Sequence, residues 1–342
     1  MAHAGTPAAA RWRHPAPISR PRRGCRTARH LALVFVIALV STACQGMGLR
    51  DTDPDHLLSR YTDERSRFIE VDGVTVHARA DGEGRAILML HGALDSLHSW
   101  EPWARHLASD YHVIRIDIPP FGLSDPMPGG DYAPENYLPI VTGVLDSYGV
   151  DSAVVVGNSL GGYFAAYYAA HEPERVRALA LISPAAYPQP LPTMLRIGAM
   201  PVLGAVYEML TPRAMVRRAL RSMYGDPDRL EDEAVERRFE LLRAPGNRGA
   251  ARDVIRLMAE RSDEEPVWIR RITQPTLLLW GEEDDWVTLE LAERWLQDLP
   301  DARLVTYPTV GHVAMEEIPE KSLADFRPFL SGLPDPAGGR RP

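Results

Sequence analysis

Short apolar runs, most of them bounded by Gly, Pro or Asp, recur along this chain at intervals filled by longer amphipathic or Ala-rich stretches. Residues 68–80, broken at Asp72-Gly73, read as an opening antiparallel pair. Residues 87–90, 113–117, 154–156, 178–183, 276–280 and 303–307 read as short buried strands. Helical stretches sit between them at 100–108, 134–148, 163–171, 289–299 and 319–330. Strand and helix in alternation predict a mostly parallel α/β sheet with helices on both faces.

One interval breaks the rhythm. Residues 184–275 offer no convincing strand. They open with Pro184, Pro188, Pro190 and Pro192, then continue as helix-like runs carrying Met194, Met200, Met209, Met215 and Met223. A helical insertion here would cover the strand ends at which open α/β sheets bind ligands, so the interval predicts a lid. Most of these methionines are expected to pack inside it, with some left to line an adaptable apolar pocket.

The strand at 154–156 runs into Gly157-Asn158-Ser159-Leu160-Gly161-Gly162 and then into the helical stretch at 163–171. Strand, Gly-x-Ser-x-Gly and helix, in that order, make a sharp turn that lifts a serine hydroxyl above the sheet. A hydroxyl is a weak nucleophile until a base takes its proton and a carboxylate orients the base. The chain supplies both in the order such a turn requires. Glu282-Glu283-Asp284-Asp285 follows the strand at 276–280, and Gly311-His312 follows the strand at 303–307. His312 is the only histidine C-terminal to His171, which leaves little choice of base. Among the four acids Asp284 is the first candidate and Asp285 the second. The oxyanion of an acyl transfer needs two backbone donors. Leu160, immediately after the serine, is expected to supply one, and Ala93, in Leu90-His91-Gly92-Ala93, the other. His91 is expected to tie its loop together, and Asp117 to order the loop 117–125 rather than to serve as the acid. No HExxH or paired-cysteine spacing occurs, so neither a metal nor a cofactor is expected.

The N-terminus follows another pattern. Residues 1–30 carry seven Arg and no acid, residues 31–40 (LALVFVIALV) are wholly apolar, and Ser41-Thr42-Ala43-Cys44 follows. A basic region, a short apolar region and a small-residue site predict a secretory signal over residues 1–43. Ten apolar residues are fewer than the roughly 20 that span a bilayer. The cysteine at the cleavage site resembles a bacterial lipoprotein signal. That resemblance implies Cys44 as the lipidated first residue of an exported, membrane-anchored protein facing the periplasm or cell exterior. Without residues 1–43, 31 basic residues face 46 acidic ones, a net charge of about −15. That balance excludes nucleic acid and electrostatic adhesion to anionic lipid. Cys25 and Cys44 are the only cysteines, so no disulfide is expected, and the core of a chain 45% hydrophobic must hold the fold alone. Residues 44–63 read as a polar tether and residues 332–342 as a disordered tail.

His91-Gly92-Ala93, the loop 117–125, Gly157 through Gly162, Gly281-x-x-Asp284 and Gly311-His312 together resemble the α/β-hydrolase superfamily. The resemblance covers roughly residues 66–332. It implies an eight-stranded sheet in a core of residues 64–184 and 268–331, with a helical lid at 185–267 inserted after the sixth strand. It also implies Ser159 as nucleophile, His312 as base and Asp284 as acid. Asn158 before the serine, with Gly161-Gly162 after it, resembles the meta-cleavage (carbon–carbon bond) hydrolases. That branch places Trp directly after the base histidine, where this chain has Val313. The first expectation is a serine hydrolase acting through an acyl-enzyme on carboxylic esters of moderately hydrophobic small molecules. The alternatives are a carbon–carbon hydrolase, a cofactor-free haloperoxidase, or a non-catalytic binding module on the same fold. The sequence leaves the oligomeric state open.

Overall fold

The protein is described here by a computed structural model covering residues 47–334. The expected signal at 1–43, Cys44 and residues 335–342 of the expected tail lie outside the described residues.

The strands are β1 (Ser66–Val71), β2 (Val74–Asp81), β3 (Arg85–Leu90), β4 (Tyr111–Ile116), β5 (Ala153–Asn158), β6 (Val176–Ile182), β7 (Thr276–Gly281) and β8 (Ala302–Tyr307). They form one eight-stranded sheet in the order β1-β2-β4-β3-β5-β6-β7-β8. β2 pairs antiparallel with β1 and β4, and the other pairings are parallel. This is the α/β-hydrolase arrangement expected from the sequence.

Both faces of the sheet are buried, and side chains alternate between them. Leu88, Leu90, Val155, Leu179, Leu181, Leu278 and Trp280 go to one core. Helices α3 (Tyr137–Ser147), α4 (Leu160–His171) and α10 (Glu290–Asp298) cover that side. Ile87, Met89, Val154, Val156, Leu277 and Leu279 go to the other core, under α2 (Glu101–Leu107) and α12 (Pro319–Gly332). There the Trp103 ring stacks on Phe326 with centroids 5.0 Å apart. The interval between β6 and β7 holds α5 (Thr193–Ala199), α6 (Pro201–Met209), α7 (Arg213–Arg221), α8 (Asp232–Leu242) and α9 (Asn247–Glu260). The insertion after the sixth strand is therefore helical, as expected.

Two expectations need correction. Residues 44–63 do not run as an irregular tether over their described part, because α1 (Pro54–Tyr61) forms there with Asp53 capping it. Thr52 N donates to the Arg243 carbonyl at 2.8 Å, and the Tyr61 hydroxyl donates to Glu240 Oε2 at 2.6 Å, so this segment packs on α8. Leu57 and Tyr61 of this helix are buried in a cluster with Leu123, Leu241 and Ala244, all distant in sequence. Nor do all the lid methionines pack inside it: Met223 is buried, Met194 and Met215 are half-buried, and Met200 and Met209 are exposed.

Asp117, just past β4, holds the loops above the sheet together. Its carboxylate accepts from Leu97 N (2.7 Å), Leu123 N (2.8 Å) and the His77 Nδ1 (2.7 Å). Gly122 adopts φ +60° directly against that carboxylate, where a Cβ would overlap it. Burial alone would raise the Asp117 carboxyl. The attraction of His77 and its hydrogen bond, joined by His91 and His98, outweigh burial and hold the carboxyl down at about 2. A carboxyl depressed in the folded state stabilises the fold above its unfolded value of about 4 and loses that contribution as pH falls towards about 2. Asp117→Asn should therefore cost about 2–3 kcal/mol at pH 7. In urea unfolding the gap between wild type and variant should shrink between pH 4 and pH 2, and a constant gap would refute this origin of the stability.

Candidate active site

Ser159 lies between the end of β5 and the start of α4, with φ +53° and ψ −118°. A non-glycine residue in that region carries about 1–3 kcal/mol of strain and persists only where its surroundings fix it. Here they do. Ser159 N donates to the Ile182 carbonyl at 3.0 Å, and the Ser159 carbonyl accepts from Tyr163 N at 3.0 Å and Ala185 N at 3.2 Å. A Cβ on Gly157 would overlap the Gly161 backbone, and one on Gly161 would overlap the carbonyls of Leu90 and His91. The motif's glycines thus let strand, turn and helix meet.

Asp284 and His312 lie on the loops after β7 and β8. His312 Nδ1 is 2.8 Å from Asp284 Oδ2, with both side chains buried. The other carboxylate oxygen of Asp284 accepts from Trp286 N (2.8 Å) and Val287 N (2.9 Å), which fixes its orientation. Asp285 is exposed, so the buried acid of the row is Asp284. The Trp286 ring stacks over the imidazole with centroids 5.9 Å apart. Val313 is wholly buried beneath the loop.

His312 Nε2 is buried without a hydrogen-bond partner, and Ser159 Oγ has none among the described residues. Nucleophile–base bonds are commonly long in unliganded enzymes and tighten when substrate arrives. What joins the two loops is Asn158, whose Nδ2 donates to the His312 carbonyl (3.0 Å) and to the Ile182 carbonyl (3.1 Å). The residue before the serine therefore does more than stabilise its own turn. The Leu160 amide opens the first turn of α4, where helix N–H groups have no intrahelical acceptor. The Ala93 amide also has no acceptor among the described residues. His91 serves the loop as expected. Its Nδ1 faces the Gly92 carbonyl at 2.7 Å, its Nε2 accepts from Ile118 N at 2.9 Å, and burial pushes the ring's pKa down.

A second Ser-His-Asp chain exists. Ser66 Oγ lies 3.1 Å from His77 Nε2, and His77 Nδ1 lies 2.7 Å from Asp117. Ser66 sits within β1 with ordinary strand geometry, and its hydroxyl also accepts from Asp63 N. It has no strained turn and no helix amides beside it, so hydrogen bonding alone does not make this set a reaction centre.

Two groups that the sequence did not single out complete the site. Glu317, in α11 (Ala314–Glu317), accepts from Gly311 N (2.8 Å) and from Gly225 N and Asp226 N of the lid (3.1 and 2.8 Å). His312 N in turn donates to the lid carbonyl of Met223 at 2.6 Å. The base loop is thus pinned to the lid. The other group is Arg238 of α8, whose Nη2 bonds Asp95 (2.6 Å) and Glu316 (2.8 Å). Burial pushes Asp95 up despite Arg238. Glu316 is held low because Arg238 and Arg237 outweigh its burial. Arg238 Nη1 is buried with no partner among the described residues, and the Arg238 side chain lines a pocket of about 40 Å³ with Ala93, Leu94, Met223, Leu242 and Trp286. Arginine in a helix usually reads as a solvated charge, so no local signal marked it.

That small pocket leaves room for little more than water. A larger cleft of about 460 Å³ opens beside Leu160 and is walled by Tyr163, Phe164, Tyr167 and Trp268. Neither Ser159 nor His312 lines it. Ser159 itself is only 8% exposed.

A family model described as alpha/beta hydrolase fold matches residues 85–319. An uncharacterised hydrolase of Bacillus subtilis, YugF, is 29% identical over 270 residues, covering 76% of this chain and 97% of that protein. A 2-hydroxy-6-oxononadienedioate/2-hydroxy-6-oxononatrienedioate hydrolase of Cupriavidus pinatubonensis is 28% identical, covering 74% of this chain and 90% of that one. Among solved structures, a meta-cleavage product hydrolase from Pseudomonas fluorescens superposes with a TM-score of 0.69 at 22% identity, over 78% of this chain and 97% of that chain. At that identity the superposition speaks for the fold alone.

The buried Asp284 and exposed Asp285 give opposite expectations. Asp284→Asn should lower kcat on p-nitrophenyl acetate by roughly 10⁴-fold, since the imidazole loses its orienting acceptor. Asp285→Asn should change it less than about 3-fold. Equal effects in steady-state assays would remove Asp284 from its place.

Proposed function

The chain belongs to the α/β-hydrolase fold family, and from that premise we propose that it is a serine hydrolase cleaving a carbon–carbon bond in an acidic, vinylogous diketone. The observation that carries the acidic substrate is the unpartnered Nη1 of buried Arg238, set beside Ala93 and Leu94. A buried guanidinium edge without a partner suits a carboxylate arriving with substrate. The bond class is supported by the relatives that share most of their length with this chain and hydrolyse 2-hydroxy-6-oxo dienoic acids by name.

The chemistry follows from the groups present. Ser159 Oγ attacks the ketone carbon while His312 Nε2 accepts its proton, and Asp284 steadies the resulting imidazolium. The Leu160 and Ala93 amides hold the oxyanion. Collapse of the tetrahedral intermediate breaks the carbon–carbon bond. The bond breaks in the keto tautomer, in which the 2-hydroxy proton has moved to the carbon that leaves, so the departing electron pair spreads as a dienolate through the conjugated oxo acid held at Arg238 and takes up a proton from His312. Water, deprotonated by His312, then cleaves the acyl-serine. The aromatic cleft beside Leu160 suits an apolar arm on the acyl side. Esters pass through the same steps with an alkoxide leaving, so carboxylic ester hydrolysis is the competing reading. The relatives favour the carbon–carbon cleavage that stood as the alternative in the sequence.

Consumption of 2-hydroxy-6-oxo-6-phenylhexa-2,4-dienoate, followed by loss of its visible absorbance, tests the proposal beside its methyl ester and p-nitrophenyl acetate. The free acid should exceed its methyl ester in kcat/KM by roughly 10- to 100-fold, the worth of a hydrogen bond to a charged group. Arg238→Gln should erase that preference while p-nitrophenyl acetate turnover persists as the control for folding. Turnover of esters with the dienoate untouched would establish the ester reading instead.

We also propose export and lipid anchoring at Cys44, supported by the basic, apolar and small-residue pattern of residues 1–44. Cys44→Ser should move the protein from the membrane fraction to the soluble one, and an unchanged distribution would refute the anchor.

A further inference from the structure

Helix α6 is inside out. An amphipathic helix on a globular protein buries its large apolar residues and exposes its polar ones. In α6 the buried residue is Gly204, packed so closely that a Cβ would overlap the Gly198 carbonyl of α5. The residues facing solvent are Val202, 75% exposed, Met209, 71% exposed, and between them Leu203 and Val206. Positions 202, 206 and 209 recur at helical spacing, so they form one stripe. Ile197 of α5 and Met200, between α5 and α6, are exposed as well. The single acid of α6, Glu208, is engaged by Arg252 of α9, and Arg196 of α5 is exposed at the rim. A contiguous apolar patch of this kind marks an interaction surface.

The start of the described chain indicates what meets it. Gly48 abuts the backbone of Thr211 at the end of α6, and Arg248 Nη1 donates to the Gly48 carbonyl at 2.7 Å. Met47 and Leu49 are themselves exposed beside this stripe. Cys44 stands three residues before Met47, and the apolar run 31–40 ends seven residues before it. Seven extended residues reach at most about 25 Å. The apolar run and the candidate lipidation residue therefore join the described chain at Met47, next to the Gly48–Thr211 contact, and not at the opposite end of the sheet.

We propose that the α5–α6 face of the lid docks on a lipid bilayer, with Val202, Val206 and Met209 entering the acyl–headgroup boundary. This is the depth at which amphipathic helices rest. The proposal goes beyond the reading of the reaction and requires neither a particular bond class nor a particular anchor chemistry. Because α5 and α6 belong to the helical insertion that meets the His312 loop, docking joins that insertion to the membrane surface.

Depth-dependent quenching tests it without reference to catalysis. A coumarin-bearing amino acid replaces Val202 or Met209 in the full-length chain. A control chain carries it at Glu83, an exposed residue at the opposite end of the sheet. Each chain is reconstituted in vesicles of phosphatidylethanolamine and phosphatidylglycerol containing lipids brominated on the acyl chain. The probes at 202 and 209 should be quenched at least 3-fold more than the probe at 83. Adding Val206→Asp should reduce that quenching while near-ultraviolet circular dichroism stays unchanged. Probes at 202 and 209 that aqueous iodide quenches as readily as the probe at 83 would overturn the proposal. So would probes shielded from both iodide and brominated lipid, which would show that protein covers the face, whether a second copy or this chain's own residues 31–40.

Discussion

The left-handed backbone at Ser159 is the constraint on which the rest of the site depends. A serine does not take φ +53° of its own accord, and the cost is met by contacts on three sides. β6 accepts its amide, the first turn of α4 and the segment after β6 donate to its carbonyl, and glycines let the strand and helix close around it. Relaxing any of these would let the turn unwind into an ordinary strand-to-helix connection. The parallel sheet, buried on both faces, supplies the rigidity against which that strain is held.

Orientation of the base rests on a chain of buried polar contacts that run across the fold. Asp284 is fixed by two backbone amides before it meets His312. Asn158 then ties the His312 carbonyl to the elbow, and Glu317 ties the same loop to the lid. Each buried polar atom so engaged specifies one arrangement, because leaving it unmet costs more than a typical hydrogen bond contributes. Among the described residues, His312 Nε2, Asn158 Oδ1 and Arg238 Nη1 are buried polar atoms around this site left without a partner. The helical insertion meets the site through Met223, Gly225 and Asp226, which bond His312 and Glu317.

The fold was legible because its signals are local. Strands buried on both faces read as apolar runs, as β3, β5 and β7 do, and each of the eight strands overlaps an expected one. Ser159, His312 and Asp284 could be placed because turn chemistry and chain order mark them. What escaped is what depends on distant partners. The helix at 54–61 has too few apolar residues to declare itself, since its contacts are with α8. Glu317 and Arg238 look like surface charges until the fold buries them. The methionines of the lid were expected inside because apolar residues usually are. Met200 and Met209 point outward because the lid's tight helix contact is made by Gly204 instead.

The chemistry turns on which hydroxyl in this molecule is activated, because two serines sit near a His-Asp pair. Stoichiometric reaction with a fluorophosphonate, followed by peptide mapping of the adduct, decides between them. One phosphonyl group per chain on Ser159, lost in His312→Gln and retained in His77→Gln, is the predicted result. An adduct on Ser66, or a folded and hydrolytically active protein that takes up no phosphonyl group, would contradict it.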